Sequence, residues 1–295
     1  MCELDQLNEM GSAVSKGAAV NRRQFAAIGA MATLAACTTV KAESVGGLTE
    51  NMVSFPAPGG TMDAFFVHPA SGKHPAVILW PDIAGLRDAK KVMGRRLAAE
   101  GFSVLVVNPF YRSAPAPQFK DFDDFRANGG FQKVGPWMQQ NSHANVMETA
   151  RALVAWLDRQ AAVDTARGIG NQGYCMGGPF TVRTAAAVPG RVKAAASFHG
   201  GGLVNPQNAE DPTSPLKLIP QTQASYLIAI SQDDDAQRPT DKDTLKTGAA
   251  AAGRPAEIEV YKGNHGWTVP DSPVYNQAEA DRAWGRLLAL YRSAL

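Results

Sequence analysis

From Val45 onward, short apolar runs alternate with longer segments in which apolar residues recur every three or four positions. Met62–Val67, Ala76–Trp80, Ser103–Asn108, Ala194–His199, Ser225–Ser231 and Glu257–Tyr261 are rich in Val, Ile, Phe or Ala and predict strands. Between them, Lys90–Glu100, Asn145–Gln160, Gly177–Val188, Lys242–Ala252 and Ala278–Ala294 predict helices. Met93, Leu97 and Ala98 form one apolar face, and Val146, Ala150, Leu153, Val154 and Leu157 another. Strands alternating with helices of ~10–15 residues predict an α/β fold, with a mostly parallel central sheet covered by helices on both faces. Val53–Phe55 and Met62–Val67, joined by Pro56-Ala57-Pro58-Gly59-Gly60, predict an antiparallel hairpin at one edge. The stretch from Tyr111 to Gln140 breaks the rhythm, and its Pro, Gly, Gln and aromatic residues predict a cap over the mouth of a site. With no internal repeat and no linker after residue 45, residues 43–295 are expected to form a single catalytic domain.

Residues 1–42 differ in kind. Asn21-Arg22-Arg23-Gln24-Phe25 precedes an uncharged segment from Ala26 to Ala36, which is the layout of an export signal. The adjacent arginines resemble a twin-arginine signal, so the protein is expected outside the cytoplasmic membrane, in the periplasm. Val40-Lys41-Ala42 offers cleavage after Ala42, whereas Leu34-Ala35-Ala36-Cys37 resembles a lipoprotein box that would tether the chain through an acylated Cys37. Both outcomes stay open. Nothing in the sequence is apolar for long enough to predict a spanning helix. A hydrophobic content of 45% excludes general disorder, and 29 basic against 27 acidic side chains give no footprint for nucleic acid.

Cys2 and Cys37 fall in the leader, which leaves Cys175 as the one thiol of the domain. Its surroundings, Gly173-Tyr174-Cys175-Met176-Gly177, have the Gly-x-nucleophile-x-Gly form of a strand–turn–helix elbow. Such a turn needs glycines two positions either side of the nucleophile, and the positive end of the following helix favours a thiolate. A thiolate nucleophile needs a base, and the base an orienting acid. His265 stands in a Gly-flanked loop directly after the last strand. The triplet Asp233-Asp234-Asp235 follows the strand Ser225–Ser231 and supplies the acid. Counting from the strand end favours Asp234, counting back from Pro239 favours Asp235, and the other acids of the triplet are expected to be solvated turn residues. His199, at the end of its strand, is a candidate for the site mouth, while His68, His74 and His143 are expected in turns and loops without a role. No metal-ligand spacing and no phosphate loop occurs, so no metal and no cofactor is expected.

Gly173-Tyr174-Cys175-Met176-Gly177-Gly178, the His265-Gly266-Trp267 loop and the intervening Asp resemble the dienelactone hydrolase family over about Val53 to Leu295. The resemblance implies an α/β-hydrolase fold, a Cys175-His265-Asp234 triad, and cleavage of a small-molecule ester or enol lactone. It further implies an oxyanion hole from the amides of Ile83 and Met176. In the family an acid at the position of Asp82, usually Glu, holds the resting thiol, and Arg112 lies in the segment that supplies an Arg to a substrate carboxylate. Asp82 is one methylene shorter than that Glu, and Val269 stands where the family's archetype has a second carboxylate-binding Arg. The rival expectation is an exported binding or thiol-responsive protein on the same scaffold, with Cys175 as sensor and little turnover.

Overall fold

The computed structural model describes residues 43–295 apart from 206, 207 and 209. The leader expectations on Arg22, Arg23, Cys37 and Ala42 therefore lie outside the described residues. Nine strands, β1 (Glu43–Val45), β2 (Leu48–Ala57), β3 (Gly60–Pro69), β4 (Ala76–Trp80), β5 (Ser103–Val107), β6 (Ile169–Tyr174), β7 (Val192–Phe198), β8 (Ser225–Ser231) and β9 (Ala256–Tyr261), form one sheet in the order β1-β2-β3-β5-β4-β6-β7-β8-β9. The first three strands are antiparallel, and β5 through β9 run parallel. The predicted hairpin is the β2–β3 pair, longer than its sequence signal at both ends. This is the α/β-hydrolase arrangement that the resemblance implies.

The strands at the centre show why their sequences are apolar at every position. Ala76, Ile78 and Trp80 face one core, and Val77 and Leu79 the other. Leu105 and Val107 alternate with Val104 and Val106 in the same way. A strand buried on both faces loses the polar alternation of a half-exposed one. Helices α1 (Asp88–Ala99) and α9 (Gln277–Ala294) cover one face through Leu97, Ala98, Leu287 and Tyr291. Helices α4 (His143–Leu157), α5 (Gly178–Ala187), the short α6 (Pro215–Leu218) and α8 (Asp241–Ala251) cover the other through Leu153, Phe180, Leu218 and Leu245.

Strand β6 reads poorly as a strand because it carries Gly170, Asn171, Gln172 and Gly173, yet all six of its residues are buried. Its polar side chains find partners inside: Asn171 donates to the Ala194 carbonyl at 3.0 Å, and Tyr291 Oη donates to Gln172 Oε1 at 3.0 Å. Hydrogen bonding offsets much of the cost of burying these amides, although Asn171 Oδ1 is buried without a partner. The irregular stretch after β5 contains α2 (Phe122–Ala127), capped by Asp121 accepting from the Asp124 amide, and α3 (Gly130–Met138). Phe110, Phe119, Phe125 and Val134 close with Phe122, Phe131 and Trp137 into a third, smaller core that also takes in Ile83 and Met176. The expected cap is thus a pair of short helices held by aromatic packing.

Candidate active site

Cys175 sits where β6 ends and a single 3-10 turn (Cys175–Gly177) leads into α5. Its φ is +51°, a left-handed conformation that costs a non-glycine residue about 1–2 kcal/mol. The flanking glycines make the turn sterically feasible. A Cβ on Gly173 would collide with the Gly177 carbonyl, and one on Gly177 would lie 2.6 Å from the Trp80 carbonyl oxygen. Cys175 remains partly exposed, as an elbow requires.

His265 lies in the loop after β9. Its Nδ1 meets Asp234 Oδ2 at 2.8 Å and Oδ1 at 3.1 Å, and its backbone N–H donates to Asp233 Oδ1 at 2.9 Å. Asp234 stands in the first turn of α7 (Gln232–Gln237), with Oδ2 accepting from Ser231 Oγ at 2.5 Å. A carboxylate at Nδ1 fixes the proton there and leaves Nε2 for the thiol. Burial would push the imidazole's pKa down, but the charge of Cys175, the Asp234 bond and a hydrogen bond to Cys175 together raise it well above the usual histidine value. Such a set favours the protonated imidazole.

The acidic triplet differs from expectation in one respect. Asp235 pairs with Lys242 Nζ at 2.6 Å and is not bonded to His265, while Asp233 grips the His265 amide. Neither is a merely solvated turn residue, because each faces a donor on the next element. Ile83 occupies the turn Pro81–Gly85, closed by the Gly85 amide on the Asp82 carbonyl at 2.9 Å. Among the described residues the Ile83 N–H has no protein acceptor. Met176 is the second residue of the 3-10 turn, where opening amides lack intrahelical acceptors. The two residues share the aromatic core under the cap.

Two expectations are corrected. Asp82 does not hold Cys175. Its Oδ1 accepts from Arg87 Nη1 at 2.7 Å and from the Ala84 amide at 3.0 Å, and its Oδ2 meets Arg87 Nη2 at 3.1 Å and Lys90 Nζ at 2.7 Å. Burial alone would raise its pKa, yet Arg87 and Lys90 hold the carboxyl far below the usual range. Arg87 also pairs with Asp271 at 2.7 Å, and Asp271 Oδ2 accepts the Phe122 amide at 3.0 Å. Arg112 does not point into the site. It lies 4.7 Å over the Tyr111 ring, donates to the Asn145 carbonyl at 3.2 Å, and packs on Gly59 of the β2–β3 turn. That turn is three to four strand positions from β6, about 14–19 Å across the sheet. Its long side chain simply finds better partners at the sheet edge.

His199, a candidate for the mouth, lies beneath it and is 1% exposed. Its Nδ1 accepts the Cys175 amide at 3.2 Å, and Nε2 meets Thr268 Oγ1 at 3.1 Å. Sequence reasoning missed Arg87, Thr268 and Asp271, whose partners lie far along the chain. Val269 is 1% exposed and packs in the core beside Trp267, so that position is turned away from any ligand.

The model of the dienelactone hydrolase family matches residues 62–295. A Salmonella typhi protein assigned as a carboxymethylenebutenolidase is 26% identical over 246 residues, covering 82% of this chain and 87% of its own. A Klebsiella pneumoniae structure assigned as a dienelactone hydrolase superposes with a TM-score of 0.69 at 24% identity, over 83% of this chain and 98% of its own. A dienelactone hydrolase-like promiscuous phosphotriesterase from metagenomic libraries gives 0.66 at 22% identity, over 84% of this chain and 99% of its own. With the match running from β3 to the C-terminal helix and taking in the elbow and the His265 loop, the chain belongs to the dienelactone hydrolase family.

Proposed function

We propose that the protein hydrolyses an ester or enol lactone through Cys175. The observation that carries this reading is the left-handed elbow residue with His265 in hydrogen-bonding reach and Asp234 gripping the far side of the imidazole. In this reading Sγ attacks the acyl carbon, and the carbonyl π pair moves to oxygen, where the Ile83 and Met176 amides receive it. Removal of a comparable oxyanion donor costs about 2.7–4 kcal/mol. The tetrahedral adduct collapses with loss of the alcohol or enol oxygen, which takes the proton held on His265 Nε2. Water then gives a proton to the same nitrogen and attacks the thioester, and the thiolate leaves. Asp234 keeps the imidazole in one tautomer throughout.

The substrate class follows from the roof and from leaving-group chemistry. Met176 and Trp137, only partly buried against the aromatic core that contains Ile83, give this end of the site an apolar character, which suits an apolar or aromatic ester. A thiolate leaves more readily than an alkoxide, so deacylation is favoured and acylation is fastest when the substrate's own leaving group is an enol or phenol. The test is a screen of the protein against enol lactones and aryl esters, with and without prior alkylation by iodoacetamide. Turnover that alkylation abolishes supports the reading, and turnover that survives complete alkylation of Cys175 refutes it.

A further inference from the structure

His199 takes no part in the reaction as drawn, yet both its ring nitrogens are engaged at the centre of the site. It follows β7 in left-handed backbone, with φ +41°, and is 1% exposed. Its Nδ1 lies 3.2 Å from the amide nitrogen of Cys175 and its Nε2 lies 3.1 Å from Thr268 Oγ1. A backbone N–H can only donate, so Nδ1 must carry no proton, and the ring proton must sit on Nε2 and be donated to Thr268. An imidazolium has no acceptor nitrogen, so only the neutral ring can make this pair of contacts. The ring stands edge-on to His265, with centroids 4.9 Å apart, and to Trp267 at 5.2 Å. It therefore fills the gap between the elbow and the loop that carries the base.

The ionisable groups facing it come from four places: Cys175 and Tyr174 from the elbow, His265 from the loop after β9, Lys90 from α1, and Asp82 from the turn after β4. Burial first, then the His265 and Lys90 charges, hold His199 well below the usual histidine pKa. The ring thus stays an acceptor while its neighbour His265 cycles.

We propose that His199 is a positioning residue, whose bare Nδ1 fixes the Cys175 amide and so keeps Sγ aligned with His265. This rests on the reading of Cys175 as nucleophile. The physical reason is the elbow's own strain. Left-handed backbone at a cysteine relaxes unless something outside the turn holds it, and a relaxed turn swings Cβ and Sγ away from the base. The His199 acceptor ties the Cys175 amide to β7, a central strand with no freedom to follow.

The test uses His199→Phe and His199→Asn in the full chain. Phe keeps a ring of similar bulk without an acceptor. Asn presents Oδ1 near the place of Nδ1 and tolerates positive φ. In His199→Phe the kcat on an aryl ester should fall roughly ten- to hundredfold, the loss expected for an orphaned buried donor, with KM changed by less than about threefold. His199→Asn should recover most of it. Iodoacetamide labelling of the Cys175 peptide, followed by mass spectrometry, should slow in Phe and recover in Asn in the same order. Equal losses in both variants, or a Phe variant like wild type in both assays, would overturn the proposal. The labelling arm needs no ester, so normal ordering of the labelling rates without any hydrolysis would sink the proposed function and leave the positioning role standing. Should Phe fail to fold, nitrogen-15 spectra of the wild-type histidines decide: one neutral ring protonated on Nε2 is expected across the working pH range, and a His199 protonated on Nδ1 refutes the role.

Discussion

Asp82→Asn separates two readings of one buried carboxylate. If Asp82 controlled the thiol, the substitution would change Cys175 reactivity and little else. The structure gives a different expectation. Asp82 is the anion between two cations whose side chains are 0% exposed, Arg87 and Lys90. Arg87 keeps Asp271 as a second partner at 2.7 Å, but Lys90 has no other carboxylate and rests 4.4 Å over the Tyr174 ring. A neutral amide in place of the Asp82 carboxylate would therefore leave one ammonium buried without an anion. Breaking a buried pair in this way costs about 3–5 kcal/mol. For a domain of this size each kcal/mol moves Tm by about 2–4 °C, so a fall of about 6–20 °C is expected. Differential scanning calorimetry measures it. Asp82→Asn combined with Lys90→Met removes both charges at similar volume and should be less destabilised than Asp82→Asn alone. Iodoacetamide labelling of Cys175 in the single variant should stay within about threefold of wild type, well below the tenfold that 1.4 kcal/mol represents. A Tm within about 2 °C of wild type, together with a tenfold change in labelling, would refute the ion-pair account and return Asp82 to the thiol.

Cys175→Ala should abolish ester turnover with the fold intact by circular dichroism, since the elbow accepts any small side chain; turnover within tenfold of wild type would exclude it as nucleophile. Asp234→Asn should lower kcat by about two orders of magnitude or more, whereas Asp235→Asn should cost at most about 1 kcal/mol of stability, seen in thermal melts, because its partner is the partly exposed Lys242. The Cys175 charge raises the His265 pKa, so in Cys175→Ala the imidazole should titrate lower by NMR. Because the folded value lies above the unfolded one, the stability that the Asp234 pairing supplies is complete below pH ~6.5 while the carboxylate stays ionised, and disappears as pH rises through the folded value, so the Tm gap between wild type and Asp234→Asn should narrow toward alkaline pH. Arg112→Ala should change KM equally for carboxylated and neutral esters, and a selective loss on the carboxylated one would place a guanidinium in the site after all.

The strands that carry the site were legible wherever burial on both faces makes them continuously apolar, as in Ala76–Trp80 and Ser225–Ser231. The elbow and His265 were legible because glycine is obligatory beside a left-handed nucleophile and the chain order is fixed by the sheet. What sequence could not show is where long side chains go. Arg112 and Asp82 occupy positions that match a family pattern, but a guanidinium reaches whichever carbonyl or carboxylate lies nearest, and those partners come from elsewhere in the chain. His199 escapes a sequence reading for the same reason: a strand end puts a residue near the mouth, but its χ angles decide whether it faces solvent or the underside of the elbow. The cap helices were hidden because α2 and α3 are short and held by Phe packing rather than by an amphipathic period.

Arg87 joins parts of the molecule that have separate duties. Its guanidinium holds Asp82, in the Pro81–Gly85 turn, and Asp271, six residues past His265; Asp271 in turn accepts the Phe122 amide at the start of the first cap helix. The cap helices, the Pro81–Gly85 turn and the His265 loop thus share one fastener. Lifting the cap at Phe122 unloads Asp271, which loosens Arg87 and then the turn that presents the Ile83 amide. The cap cannot behave as a door on an otherwise rigid room. Traffic of ligands past that end of the roof carries a cost in the alignment of the site beneath it, and residues 82, 122 and 271 should gain or lose their order together.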